Sequence, residues 1–345
     1  MDVRLSPEQQ ALSDSAAQIV DRLGPRAVGQ LDDRERADKL EAAVSASGWR
    51  DLRDSESDGR PLASAVEVAI VAEELGRGLA GAPFLGLTLA AELRRLGGAP
   101  PATSPETIAL SLSLSEPAVA VDGAAPTGAL ALDARGATSA LVLVPVHGGH
   151  GLAQVSLHAL EVRTDLTRPA AAVDPASAVV PVPGGPLTVE DVWSWTAMGL
   201  ALTSADLVGT MRGAIDLTVG YAAFRRQYGR PIGSFQAVQH LLADAFVLME
   251  GSRSIARYAA WAVDALPADA ALAAAAGAKA YCARAARTVC ETSIQVHGGI
   301  GNTWECLAHV FLRRALVSSE VLGGEGVSLE RVLAHHGIGD GNGLQ

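Results

Sequence analysis

The chain has 345 residues, 49% of them hydrophobic but only 4% aromatic, and a formal net charge of −11. That length allows about two or three domains, and the cores must be built from Ala, Leu and Val rather than rings. The acidic balance argues against binding nucleic acid through its backbone, and no apolar run approaches the ~20 residues of a membrane span.

The N-terminus lacks a basic-then-apolar signal segment. Cys282, Cys290 and Cys306 form no CxxC pair and fit no metal spacing, which suggests reduced, buried thiols in a cytoplasmic protein. The expected partner is a small molecule or another protein.

Residues 6–96 are helical in pattern. SPEQQALSDSAAQIVDRL places Ser6 as an N-cap with Gln9 three positions on, a capping-box arrangement. SAVEVAIVAEELGRGL gives a second amphipathic helix ending at Gly76 or Gly78. From about 98 to 188 Pro and Gly are frequent, and TIALSLSLS, GALALDA and SALVLVPV read as strands. From 189 to 335 long helical stretches return, including an alanine-rich one near 261–288. The fold class is α+β: an N-terminal helical domain (1–97), a small middle β domain without parallel sheet (98–188), and a C-terminal bundle of four or more long helices (189–345). His147 and His150 in VHGGHG read as a glycine-rich hairpin tip, and His335 and His336 as a helix end.

FRRQYGRPIGSFQAVQHLLADAF, residues 224–246, joins two segments with helical periodicity. Leu207, Met211, Ile215, Val219 and Ala222 form the stripe upstream; Val238, Leu241, Ala245, Leu248, Ser252, Ile255 and Ala259 form it downstream. Gly229, Pro231 and Gly233 break the helix, Ser234 is placed to cap the second one, and Arg225, Arg226 and Arg230 sit at the corner. A solvated arginine corner explains the charge alone. In QVHGGIGNTWECLAHVFLRRA, residues 295–315, Gly298, Gly299 and Gly301 break the chain after His297, and Asn302 or Thr303 is placed to cap the next helix. Such a junction lets backbone amides approach an anion, although most GGxG turns simply end a helix. It is not GxGxxG after a strand, so a Rossmann reading has no support.

Together the two stretches are more specific. Arg225-x-Gln227-Tyr228-Gly229-x-Pro231-Ile232 with Phe235-Gln236-x-x-Gln239-His240, followed by Gln295-x-His297-Gly298-Gly299-x-Gly301-x-Thr303-x-Glu305, resembles the acyl-CoA dehydrogenase family. The resemblance covers most of the chain and is weakest in the middle. It implies an FAD across an oligomer interface, contacted by Arg225, Gln227, Tyr228, Phe235 and Gln236 of one chain and by Gln295, Val296, His297, Gly298 and Gly299 of the other. Arg is a good bidentate partner for a pyrophosphate. The resemblance also implies an acyl-CoA substrate, as in lipid or sterol catabolism, and electron-transfer flavoprotein as acceptor.

The family's chemistry takes the α-proton of an acyl-CoA with a carboxylate base and passes the β-hydride to flavin. Counting from the motifs, the two family base positions fall on Leu322 and Gly199, and Leu200 stands where many members carry an arginine for CoA. Leu cannot take a proton. Three acids remain as substitutes: Glu325, in a glycine-flanked loop able to swing inward; Glu320, at a helix end; and Asp206, beyond Gly199. A solvated surface acid is the plainer reading of each. Ser115-Glu116-Pro117 is the one remnant of the family's flavin-ring strands. The open readings are an acyl-CoA dehydrogenase with a displaced base, Glu325 being its weak candidate; a non-catalytic partner subunit of a heteromeric acyl-CoA dehydrogenase; and a same-fold flavin-dependent monooxygenase.

Overall fold

The computed structural model describes residues 4–55, 59–160 and 163–338. Helix α1 (Pro7–Leu23) opens as expected: the Gln9 amide donates to Ser6 Oγ at 3.2 Å and the Ser6 amide donates to Gln9 Oε1 at 3.0 Å. Two orphan donors are thus satisfied, and Pro7 supplies a φ already suited to the first turn. Helices α2 (Arg34–Ala46), α3 (Ala65–Arg77) and α4 (Leu85–Leu96) follow, with Asp33 and Ser64 capping α2 and α3 and Gly78 ending α3. Ten residues of α3 are buried, so it is a central helix of this domain and not an amphipathic cover.

The middle of the chain forms β1 (Glu106–Leu110), β2 (Leu130–Ala131), β3 (Ser139–Val146), β4 (Gly149–Ala159), β5 (Ala171–Val173) and β6 (Val180–Leu187). The order is β3-β1-β2-β5-β4-β6, and a further β3–β4 pairing closes the sheet on itself. Its interior is filled by small side chains such as Ala109, Ala131, Ala140, Ala153 and Ala171, with Val142 and Val155, because a small closed sheet has no room for larger ones. The β1–β3 pair is parallel, against the expectation of no parallel pairing. It is a single three-residue ladder without a crossover helix, and the other ladders of the sheet are antiparallel. His147 stands in the turn of the β3–β4 hairpin and His150 at the start of β4, with Gly148 and Gly149 at φ +88° and +150°.

Among the described residues the C-terminal bundle has three long helices, α5 (Val189–Phe224), α6 (Gln236–Ala265) and α7 (Ala268–His297), and two short ones, α8 (Ala308–Glu320) and α9 (Glu325–His335). That is one long helix fewer than expected. The alanine-rich stretch is interrupted because Pro267 separates α6 from α7. Val219 also departs from its expected stripe, being 49% exposed. The α3–α5 crossing is close enough to need glycine: a Cβ on Gly209 would lie 1.8 Å from the Glu73 carbonyl oxygen. Among the described residues no helix is long and apolar enough to cross a membrane. The α+β architecture read from the sequence is present.

Candidate cofactor cleft and acyl position

Helix α5 ends at Arg225, whose amide donates to Tyr221 O at 2.9 Å. The corner beyond is a β-hairpin of β7 (Arg226–Gln227) and β8 (Arg230–Pro231), with Tyr228 and Gly229 at φ +53° and +81°. Positive φ at both turn residues suits a two-residue hairpin. Arg226 donates to Gly229 O at 3.3 Å, and the Arg230 guanidinium lies 4.2 Å from the Phe235 ring centroid. Arg225 is exposed. Ser234 does not cap α6, because its hydroxyl donates to Pro231 O at 2.7 Å and Phe235 takes the N-cap place without a side-chain bond.

Arg225 lines a cleft of about 870 Å³ with Tyr221, Phe224, His297, Gly299 and Glu305. The resemblance assigned Arg225 and the His297–Gly299 segment to different chains; here both border one cleft of one chain. His297 is buried, and its Nδ1 donates to Ser293 O at 2.8 Å. Its ring stacks on Tyr221 with centroids 4.4 Å apart. Burial pushes the imidazole pKa down, against a smaller upward pull from the Ser293 carbonyl, so His297 is neutral at pH 7. Gly298 has φ +66°, and a Cβ added at Gly298 or Gly299 would meet nothing within 4 Å. The backbone there is open to an approaching group.

Residues 298–302 form a 3-10 turn and α8 starts only at Ala308. Neither Asn302 nor Thr303 caps it; the Thr303 hydroxyl donates to Ile300 O at 2.9 Å. Gln227, Tyr228, Gln236 and Gln295 are exposed, Phe235 and Val296 half-buried, and none of these six borders the cleft. Tyr221 and Phe224 were missed in the sequence, although their signal was present: Tyr221 stands four residues before Arg225, one helical turn away on the same face.

Gly199 and Leu322, the two positions on which the resemblance places the family's bases, meet. A Cβ on Gly199 would lie 2.1 Å from Leu322 Cδ1 and 3.4 Å from Leu89 Cδ2. Leu322 is fully buried at φ +62°. Its amide donates to Leu114 O at 2.7 Å, and its carbonyl accepts from Arg331, whose other Nη donates to Ser115 O at 3.0 Å. Leu200 is fully buried too, as is Trp195, whose indole N–H donates to Leu89 O at 2.8 Å. The space between α4 and α5 is therefore filled by the chain's own side chains. Beside it remains a cavity of about 160 Å³ bordered by Leu85, Leu114, Val317 and Val321 on one side and by Asp133 and Arg168 on the other.

The three substitute acids are placed elsewhere. Glu325 is not in a swinging loop: it is the first residue of α9, on the surface, and its carboxylate pairs with Arg284 of α7. Glu320 is exposed at the end of α8. Asp206 is neither a base nor a surface acid. It is 3% exposed, 2.6 Å from Arg314 and 3.3 Å from Arg168, and accepts from Ser318 Oγ at 2.6 Å. Burial alone would raise its pKa, but Arg168 and Arg314 outweigh that and hold it at about 2. A carboxylate so strongly stabilised is a poor proton acceptor.

Comparison with known proteins agrees with this architecture. Residues 196–336 match the family model described as acyl-CoA dehydrogenase, C-terminal domain. Acyl-CoA dehydrogenase IpdE2 of Mycobacterium tuberculosis is 34% identical over 262 residues, covering 74% of this chain and 73% of that protein. IpdE2 of Mycolicibacterium smegmatis is 27% identical over 344 residues, covering 96% and 99%. Among solved structures, a Tcur3481–Tcur3483 steroid ACAD aligns with a TM-score of 0.80 at 22% identity, covering 96% of this chain and 98% of that one. The ChsE4–ChsE5 complex from Mycobacterium tuberculosis gives 0.77 at 24% identity, covering 99% and 100%. At these identities the two structures speak for the fold, and the 34% relative speaks for more. With similarity of that extent over most of its length, the chain belongs to the acyl-CoA dehydrogenase family.

Proposed function

We propose that this chain is the cofactor-cradling, non-catalytic subunit of a heteromeric FAD-dependent acyl-CoA dehydrogenase, whose base comes from a second chain of the same family. The observation that carries this is the seating of Leu322 against Gly199. Both family base positions are apolar or empty, and one fills the other. The ChsE4–ChsE5 structure is a complex of two named chains, which supports reading an incomplete site as half of a pair. A same-fold monooxygenase would also need an open substrate position beside its flavin, and that position is filled.

The residues present fit the pyrophosphate of FAD. Among the described residues the Arg225 side chain has no ion pair or hydrogen bond, so its guanidinium is free for a bidentate contact, and Gly298 and Gly299 leave their backbone uncovered. FAD, when bound, supplies the hydride acceptor for α,β-desaturation of an acyl-CoA thioester. This chain's part is to bind and orient. Arg225 holds the pyrophosphate, neutral His297 stiffens the cleft through its stack with Tyr221, and Leu322 keeps water and acyl chain out of the local base position. An electron-transfer flavoprotein would be the electron acceptor on this reading.

The test is flavin content after co-expression with a longer acyl-CoA dehydrogenase-like partner. Arg225→Ala removes charge-assisted hydrogen bonds, each worth about 1.5–3 kcal/mol, and most of the flavin should be lost on dilution. Full retention in the mutant would count against the assignment of Arg225.

A further inference from the structure

Lys279 of α7 is fully buried, and among the described residues it has no carboxylate partner. Its Nζ donates instead to Thr203 Oγ1 at 3.0 Å, to Val321 O at 2.8 Å and to Ser318 O. Three ammonium protons meet three oxygens. Two of these are carbonyls at the C-terminus of α8, where the last turn lacks intrahelical donors and the helix dipole favours a cation. The third, the Thr203 hydroxyl, lies 2.9 Å from Gly199 O and 3.0 Å from Leu200 O. One ammonium therefore ties the residue preceding Leu322 to the helical turn that carries Gly199.

Burying an ammonium is costly, and a methionine of similar length would fill the same space without that cost. The charge is thus not explained by packing. It is explained by what it holds. Leu322 sits at φ +62°, a left-handed conformation unfavourable for a residue with a Cβ, so its seat has to be enforced by neighbours. Arg331 and Leu114 do this from one side.

We propose that Lys279 is a positioning residue that does the same from behind: its ammonium pins the end of α8 to Thr203 and keeps Leu322 seated in the Gly199 notch, closing this chain's own acyl position. The proposal rests on the reading of positions 199 and 322 as the family's base positions. Burial dominates the titration of Lys279 and lowers its pKa from 10.5 to about 7, against Cys282 on its own helix, Asp206 on α5 and Glu320 on α8, with Arg331 on α9 lowering it further. Below pH 7 the latch has three donors; above it, the neutral amine has two. The folded value lies below the unfolded one, so the unfolded chain binds more protons between about 7 and 10.5. Stability from this group therefore rises with pH across that window, and a local opening that exposes Lys279 to water follows the same sign.

The measurement is amide hydrogen exchange of the full chain, followed over residues 318–322 and corrected for intrinsic rates. In the wild type, protection of the Leu322 amide should rise between pH 6 and pH 8, because opening exposes Lys279 to water and is linked to its protonation. In Lys279→Met it should be about tenfold lower at pH 6, as for the loss of one or two hydrogen bonds, and no longer vary with pH, while α1–α3 stay unchanged. Thr203→Val keeps the shape of the site, should show a smaller loss confined to the same residues, and decides the matter if Lys279→Met does not fold. Unchanged protection over 318–322, or a loss spread evenly through the chain, overturns the proposal. No flavin or partner is needed, so failure here leaves the cofactor reading standing, and failure of that reading leaves the exchange result intact.

Discussion

Leu322 occupies the space that a side chain at position 199 would need, with its Cδ1 2.1 Å from where a Cβ on Gly199 would stand. The contact joins the middle of α5 to the loop between α8 and α9, and it makes two apparent vacancies one packed feature. A glycine at 199 allows a leucine at 322 to bury fully, and the leucine removes the room in which a carboxylate at either position would work.

The pair should therefore behave as a coupled unit. Gly199→Ala overpacks the notch and should destabilise by about 1–3 kcal/mol. Leu322→Ala should cost about 2–5 kcal/mol through the cavity it leaves. The double variant should be more stable than the sum predicts, because the new methyl fills part of that cavity. Denaturant titration of the four chains measures this, and simple additivity would show that the two residues do not press on each other.

Asp206 should reveal itself at the acid end. Its pKa is about 2 against an ordinary 3.8, so the stability it supplies is complete above pH 4 and is lost as pH falls from about 4 towards 2. Asp206→Asn should flatten that part of the acid denaturation curve. It should also cost about 3–5 kcal/mol at neutral pH, since Arg314 stays buried without its carboxylate. An unaltered acid limb would contradict the buried network.

The Ser6–Gln9 capping box and the Tyr228-Gly229 turn between the arginines were readable because each is local, whereas Ser234, Asn302 and Thr303 do not cap the helices they were expected to start. What was missed depends on partners far away in the chain. Asp206 looked like a surface acid because Arg168 and Arg314, which pair with it, come from the loop between β4 and β5 and from α8. Glu325 looked mobile because its glycines suggested a loop, whereas α9 begins on it and Arg284 of α7 holds it. The Gly199–Leu322 contact was invisible for the same reason: both positions were noted, but no pattern within either segment shows that one fills the other. Likewise nothing in the strand sequences gave the order that sets β1 parallel to β3.

Two of the three cysteines should be chemically silent. Burial pushes the thiols of Cys282 and Cys290 up to about 12, and the thiolate is the reactive form. Alkylation of the native chain at pH 8 should leave both unmodified by peptide mass mapping, and unfolding should expose them. Rapid labelling of either in the native chain would mean that α7 is not packed as described.

The central claim is that this chain cradles the cofactor and leaves the proton to another chain. Dye reduction with several acyl-CoA thioesters, run on the isolated flavin-loaded chain and on its complex with a partner carrying a glutamate at the family base position, tests it most directly. General-base catalysis contributes typically ~10²–10⁴-fold. The isolated chain should accordingly be nearly silent and the complex active, with activity abolished by removing the partner's glutamate and untouched by Glu325→Gln in this chain. Robust turnover by the isolated chain would contradict the account, and turnover lost on Glu325→Gln would make that carboxylate the base.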